Sequence, residues 1–256
     1  MDDPRWRLQR HPAPITCRFE HCLVLTWALP AATLEPLVPS GLTLDTYYQR
    51  WGFLVIALVQ TRSLRPAFLP AWAGRDYALT GYRIFVRHRD PAGRTRRGLH
   101  ILRSDTDKLS MKIGGNLLTH YRYRLAGISI SEAAGQLEAR ITTPGAEADL
   151  HAVARLRGVP AQLPPSSPFR SERDARRFAG PLPWTFDHEP QTRSIVMIRA
   201  RRSAWDPQPV AVDVKTCSYL DRSPFAAAGP KLASAFHVAG VDYGWERGIR
   251  VPLGEP

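Results

Sequence analysis

With 256 residues, 44% of them hydrophobic and 23% charged, the chain can bury a large core, which excludes disordered, collagen-like and disulfide-scaffold classes. Its net charge of +12 raises an anionic partner, yet only Lys108, Lys112, Lys215 and Lys231 are lysines, and the arginines are spread along the chain rather than gathered in a tail. Cys17, Cys22 and Cys217 cannot all pair, Met1-Asp2-Asp3-Pro4 begins no signal peptide, and no apolar run reaches about 18 residues, so the expectation is a cytoplasmic protein with no membrane partner.

Alternation of Ile15, Cys17, Phe19, His21, Leu23, Leu25 and Trp27 predicts a strand over 15–27 with one packed face. Pro30 opens a short helical segment at 31–38, closed by Pro39-Ser40-Gly41, and strands are expected at 42–46 and 51–61. Residues 64–74, with Pro66, Pro70, Trp72 and Gly74, read as a long, partly apolar loop of the kind that covers pockets. Asp90-Pro91-Ala92-Gly93 joins strands at 77–88 and 99–104 into a hairpin. Ser104-Asp105-Thr106-Asp107 offers cap oxygens to a helix whose packed face is Leu109, Ile113 and Leu117. A hairpin over 121–130 and 136–142 and a strand at 150–156 extend a large antiparallel sheet.

The prolines of 159–168 form an internal connection within a single domain over 1–256. Beyond it, a polar helix at 169–178, strands at 194–201 and 210–220, an Ala-rich helix at 225–236 and a strand at 238–251 complete the chain. This is an α+β, β-rich pattern, and it predicts a closed or nearly closed antiparallel β-barrel with a few flanking helices.

Trp27-Ala28-Leu29-Pro30, followed by Leu34-Glu35-Pro36-Leu37-Val38-Pro39-Ser40-Gly41-Leu42-Thr43-Leu44-Asp45, resembles the opening signature of the acetoacetate decarboxylase-like superfamily. Tyr82-Arg83-Ile84-Phe85-Val86-Arg87 and the segment 104–121 are similar to its uncharacterised YqjF-like branch, so the resemblance spans residues 19–123. It implies a cone-shaped barrel with an internal small-molecule pocket, in a family that often assembles into homo-oligomers. In the decarboxylases a Tyr-Pro-Lys-Lys run supplies a Schiff-base lysine; the matching stretch here is His120-Tyr121-Arg122-Tyr123, and neither a guanidinium nor a phenol forms an imine.

Arg83, Arg122 and Arg124 lie on expected strands, where an inward guanidinium holds a carboxylate with two parallel hydrogen bonds. Alternation puts Arg122 and Arg124 on one face and Tyr121 and Tyr123 on the other; the resemblance favours a pocket near Arg122. His100 and His120 would shuttle protons or serve as structural hydrogen-bonding groups. Glu20 and Glu138 would orient an arginine or sit in surface ion pairs. Lys108 and Lys112, one helical turn apart, would depress each other's pKa as an imine-forming amine requires, or form a solvated stripe.

Cys17 and His21 stand about 13 Å apart along a strand, too far to share an ion, and no phosphate-binding loop, Gly-x-Ser-x-Gly elbow or paired-histidine metal helix occurs. No cofactor or metal is expected. The leading reading is a protein that binds a small anionic or carbonyl-bearing molecule through Arg122, Arg83, His120 and Glu20. One alternative is a lyase acting on a keto acid through Lys108 or Lys112. Another is a nucleic-acid binder using Arg94-Thr95-Arg96-Arg97 and Arg199-Ala200-Arg201-Arg202 with Trp184 and Trp205.

Overall fold

The alternating segment at the start of the chain becomes β1 (Ile15–Pro30), in a computed structural model that describes residues 4–90, 92–157, 162–180 and 182–253. Met1 to Asp3, Pro91 of the expected turn and residues 159–161 of the Pro-rich connection lie outside these. After β1 come α1 (Ala31–Leu34), β2 (Thr43–Leu44), β3 (Trp51–Pro66), β4 (Arg75–Arg89), β5 (Thr95–Thr106) and α2 (Leu109–Leu118). Then follow β6 (Tyr123–Leu125), β7 (Gly127–Ala133), β8 (Gln136–Thr142), β9 (Leu150–Arg155) and α3 (Glu172–Ala179). The last strands are β10 (Trp184–Glu189), β11 (Ser194–Arg202), β12 (Gln208–Pro209), β13 (Ala211–Cys217), β14 (Lys231–Trp245) and β15 (Ile249–Pro252).

Two sheets result. In the larger, hydrogen bonding runs from β14 through β1, β3, β4, β5 and β10 to β11, and β11 pairs back to β14 through Ala200, Arg201 and Arg202 against Trp245, Gly244 and Tyr243. The pairings thus return to the strand from which they began. The smaller sheet, β13-β9-β8-β7, lies against the outer face of the first, where Leu137, Ala139 and Ile141 meet Leu23, Leu25, Leu54, Ile56 and Ile84 in one apolar cluster. Tyr82 ties the layers by donating its hydroxyl to the carbonyl of Ala148 at 2.9 Å.

From Cys22 to Leu29 every residue of β1 is buried, because one face meets the small sheet and the other looks into the ring. The single packed face expected for this strand is therefore corrected. A bulge opposite β3, where Phe19 and His21 pair with Thr61 and Gln60, swaps the faces, so that Cys17 and Phe19 point inward with Cys22 and Val24 rather than with Leu23 and Leu25.

The inner face is closed at one end by α3, whose Ala175 and Ala179 pack with Phe169 and Phe178 on Phe53 and Phe85. Ser171 caps this helix by accepting from the amide of Asp174. At the other end of β3 and β4 lie Tyr77, Leu79, Tyr121 and Tyr123 under Met111 of α2.

Three other expectations give way to tertiary pairing. Ser104, Asp105 and Thr106 do not cap α2: they are bonded to Gly81, Thr80 and Leu79 of β4, and Lys108 takes the cap position without a side-chain bond. Leu109, Ile113 and Leu117 are 56%, 61% and 42% exposed, because α2 turns Met111, Gly114, Gly115 and Leu118 inward instead. The Ala-rich helix is only a turn at Ala226–Ala228, ended by Gly229 at φ 61°, after which pairing with β1 draws residues 231–245 into a strand against their alanine content.

β10, like the two-residue β12, has no expectation behind it. It runs parallel to β5, as does β6, so the large sheet is mixed rather than wholly antiparallel.

Candidate ligand-binding cavity

Period-two alternation on β4 sends Gly81, Arg83 and Phe85 inward, and Arg83 becomes a cation on the wall of an interior cavity of about 100 Å³. Gly81 makes the room: a Cβ there would lie 2.8 Å from Arg83 Nε, so only a bare backbone lets the guanidinium lie along the sheet. Among the described residues no ion pair joins Arg83 to a carboxylate, and its Nε is buried without a hydrogen-bond partner.

Other elements aim polar groups at the same space. The stretch after α2 turns at Arg122, whose φ of 54° sets Tyr121 and Tyr123 inward and Arg122 itself out to solvent. Tyr243 comes from β14, and Trp205 from the segment after β11. The Tyr121 hydroxyl and the Trp205 indole nitrogen are likewise buried and unpartnered. Three donors without acceptors in one cavity are unusual, since native buried polar atoms nearly always find partners.

Asp187 shares the inward face of β10 with Thr185, which lines the cavity. Its Oδ2 is buried and unpartnered, and burial lifts its carboxyl to about 8, with the Arg122 charge opposing. Near neutral pH this group carries its proton and donates. Burial also pushes the Tyr121, Tyr123 and Tyr243 phenols upward, with Arg83 partly offsetting each. The Cys22 thiol on the wall is pushed up to about 12, which removes it as a thiolate nucleophile at neutral pH.

The residues singled out from sequence scatter. Arg83 lines the cavity; Arg122 does not, and the tyrosine pair takes the place expected for it, because Tyr121 and Tyr123 pack with Tyr77 and Leu79 while Arg122 faces solvent. Arg124 reaches Glu147 at 2.7 Å on the surface. His120 stands 3.7 Å from Glu189, whose carboxylate is already held by Arg10, and His100 bonds the carbonyl of Phe186 at 2.9 Å; neither is on the cavity wall.

Glu20 and Lys108 both line a separate surface cleft, where Glu20 pairs with Arg62 at 3.1 Å and the Lys108 ammonium donates to the carbonyl of Asp76 at 2.6 Å. Lys112 is on the wall of neither space, and none of the four lysines lines the interior cavity. Glu138 holds Arg140 and His151 on the small sheet.

The arginine arrays are largely matched by carboxylates. Arg94 and Arg96 pair with Asp90, Arg97 with the fully buried Asp45, and Arg201 with Glu246. No helix among the described residues is long and apolar enough to cross a membrane.

Sequence reasoning missed Asp187 and Tyr243, and it weighed Arg202 and Trp205 only as nucleic-acid contacts. Arg202 lines the cavity with its guanidinium 5.1 Å above the Trp205 ring, and burial lowers its pKa. The signal available was strand alternation carried through 184–189 and 199–202, which places Asp187 with Thr185 and Arg202 with Ala200.

The fold is shared with solved enzymes of low sequence identity. The acetoacetate decarboxylase of Legionella pneumophila superposes at a TM-score of 0.65 with 13% identity, covering 98% of this chain and 92% of that one. An acetoacetate decarboxylase-like enzyme from Sphingomonas wittichii gives 0.60 and 17%, covering 96% and 94%. The enduracididine biosynthesis enzyme MppR, complexed with the condensation product of pyruvate and imidazole 4-carboxaldehyde, gives 0.54 and 10%, covering 95% and 89%. No curated protein matches the chain. The family model DUF2071, described as an uncharacterized conserved protein, matches residues 16–242, so this acetoacetate decarboxylase-like fold belongs to a member of the DUF2071 family.

Proposed function

We propose that the seven-strand ring is a closed barrel whose interior binds a small carboxylate- or carbonyl-bearing molecule without forming an imine to it. The observation that carries this reading is the unpartnered Arg83 Nε beside the unpartnered donors of Tyr121 and Trp205, in a cavity with no lysine on its wall. An excess of buried donors calls for a ligand rich in acceptors, and a carboxylate or polarised carbonyl supplies them. Arg83 provides the charge, and Tyr121 and Trp205 the directional bonds.

The solved neighbours are named as enzymes, and one is complexed with a product of pyruvate condensation, which favours a keto acid over other carboxylates. The test is a thermal-shift screen of the full chain against short keto acids, ketones and carboxylates, repeated on Arg83→Met. Saturable stabilisation that disappears in the variant supports the reading; no stabilisation by any member of the panel overturns it.

Borohydride treatment with the same compounds is expected to leave every lysine unmodified. An adduct on Lys108 would instead establish the lyase reading at the outer cleft, and one on Lys112 would establish it away from both spaces.

A further inference from the structure

A second chamber, about 480 Å³, lies between α2 and the β3–β4 connection. It is wider than the interior cavity and mostly apolar, walled by Ile15, Leu64, Phe68, Met111 and Leu118. Its volume falls in the range of small-molecule sites. Leu79, Tyr121, Tyr123 and Trp245 belong to the walls of both spaces, so one layer of side chains divides the apolar chamber from the polar cavity.

The sequence builds the chamber deliberately at α2. The helix turns Met111, Gly114, Gly115 and Leu118 toward it, and the two glycines stand where bulk would fill it. At Gly114 an added Cβ would meet nothing within 4 Å, whereas at Gly115 it would strike Tyr123 Cδ2 at 2.4 Å. A glycine pair weakens a helix interior by roughly 1 kcal/mol per residue relative to alanine. Gly115 seats the Tyr123 ring that forms the partition, and Gly114 leaves open space with no packing reason of its own.

We infer that the ligand is bipartite: its carboxylate or carbonyl head lies in the interior cavity against Arg83 and Tyr121, and an unbranched or aryl apolar tail fills the chamber under α2. This rests on the cavity reading above and extends it to a substrate class, medium-chain keto acids rather than the smallest ones. A cavity of about 100 Å³ holds a head group alone. A molecule entering past Tyr121 and Tyr123 leaves the remainder of its length among Ile15, Leu64, Met111 and Leu118, where contact with apolar side chains removes tail surface from water.

The test is calorimetric titration of the full chain with pyruvate, α-ketobutyrate, α-ketocaproate and α-ketocaprylate. Affinity is expected to rise about fourfold for each methylene that enters the chamber. Gly114→Leu and, independently, Met111→Trp fill the chamber, and each should abolish the rise; Gly114→Leu, where an added Cβ meets nothing within 4 Å, should leave pyruvate binding unchanged. An affinity that stays flat with chain length overturns the chamber and leaves the cavity reading standing. Binding by none of the acids overturns both, and a rise that survives both substitutions also overturns the inference, since the tail then lies elsewhere.

Discussion

Arg83→Met separates a ligand site from a structural cation by the sign of two effects in one protein. In the unliganded chain, Arg83 Nε is a buried donor with nothing to bond, and an unsatisfied buried polar atom costs about 1–3 kcal/mol. Methionine keeps a flexible unbranched stem and removes the donor, so the variant should gain about that much unfolding free energy. For a chain of this size the gain corresponds to about 2–4 °C in melting temperature per kcal/mol. The response to ligand should vanish at the same time; at a hundredfold excess over Kd that response is about 2.7 kcal/mol in the parent. Urea denaturation with and without the tightest-binding keto acid measures both. A variant that loses stability while keeping its ligand response would show that Arg83 is held by the fold for packing, and the cavity reading would fail. Arg97→Met is the control with the opposite sign: it takes one of two guanidinium partners from the fully buried Asp45, and should destabilise by about 1–3 kcal/mol without touching ligand binding.

The glycines of α2 should diverge under the same substitution. Gly114→Ala meets open space and should stabilise by about 0.5–1 kcal/mol, whereas Gly115→Ala drives into the Tyr123 ring and should cost about 1–3 kcal/mol, both read from denaturant midpoints. Stability should also depend on pH through Asp187. Burial raises its carboxyl from 3.8 to about 8, so the folded chain keeps a proton the unfolded chain has lost; the contribution is full below pH 3.8 and declines as pH rises through about 8. Asp187→Asn should flatten that decline in denaturation curves taken across the window. His11 acts in the reverse sense: burial, aided by the nearby His120, lowers its pKa from 6.5 to about 4, so its contribution is full above pH 6.5 and is lost as pH falls through about 4. His11→Asn should therefore reduce the loss of stability on acidification.

Local chemistry was enough to find β1, β3, β4 and the hairpin at Asp90, because β-branched and aromatic alternation and a turn sequence act over a few residues. It also singled out Arg83 on its strand, without deciding whether the guanidinium faced the interior or solvent. The same reasoning reduced the stretch after α2 to two choices, the arginine pair or the tyrosine pair, and went no further. Alternation states which residues share a face but not which face is inside. Only the pairing of Ser104 with Tyr123, and the packing of Tyr121 and Tyr123 on Tyr77 and Leu79, turned the phenols toward the cavity.

Long-range contacts decided the rest. β10 carries no expectation until β5 and β11 flank it, and Asp187 has no special character until it is buried. The α2 face was misread because Leu109, Ile113 and Leu117 are the more apolar stripe, while the helix docks through Met111, Leu118 and two glycines that leave the chamber open. Residue order by itself determined strands such as β1, β3 and β4 and the absence of an imine-forming lysine from the matching stretch. Which polar atoms are cut off from water depends on surfaces brought together from distant parts of the chain, so only the tertiary structure decided which of them line the interior cavity.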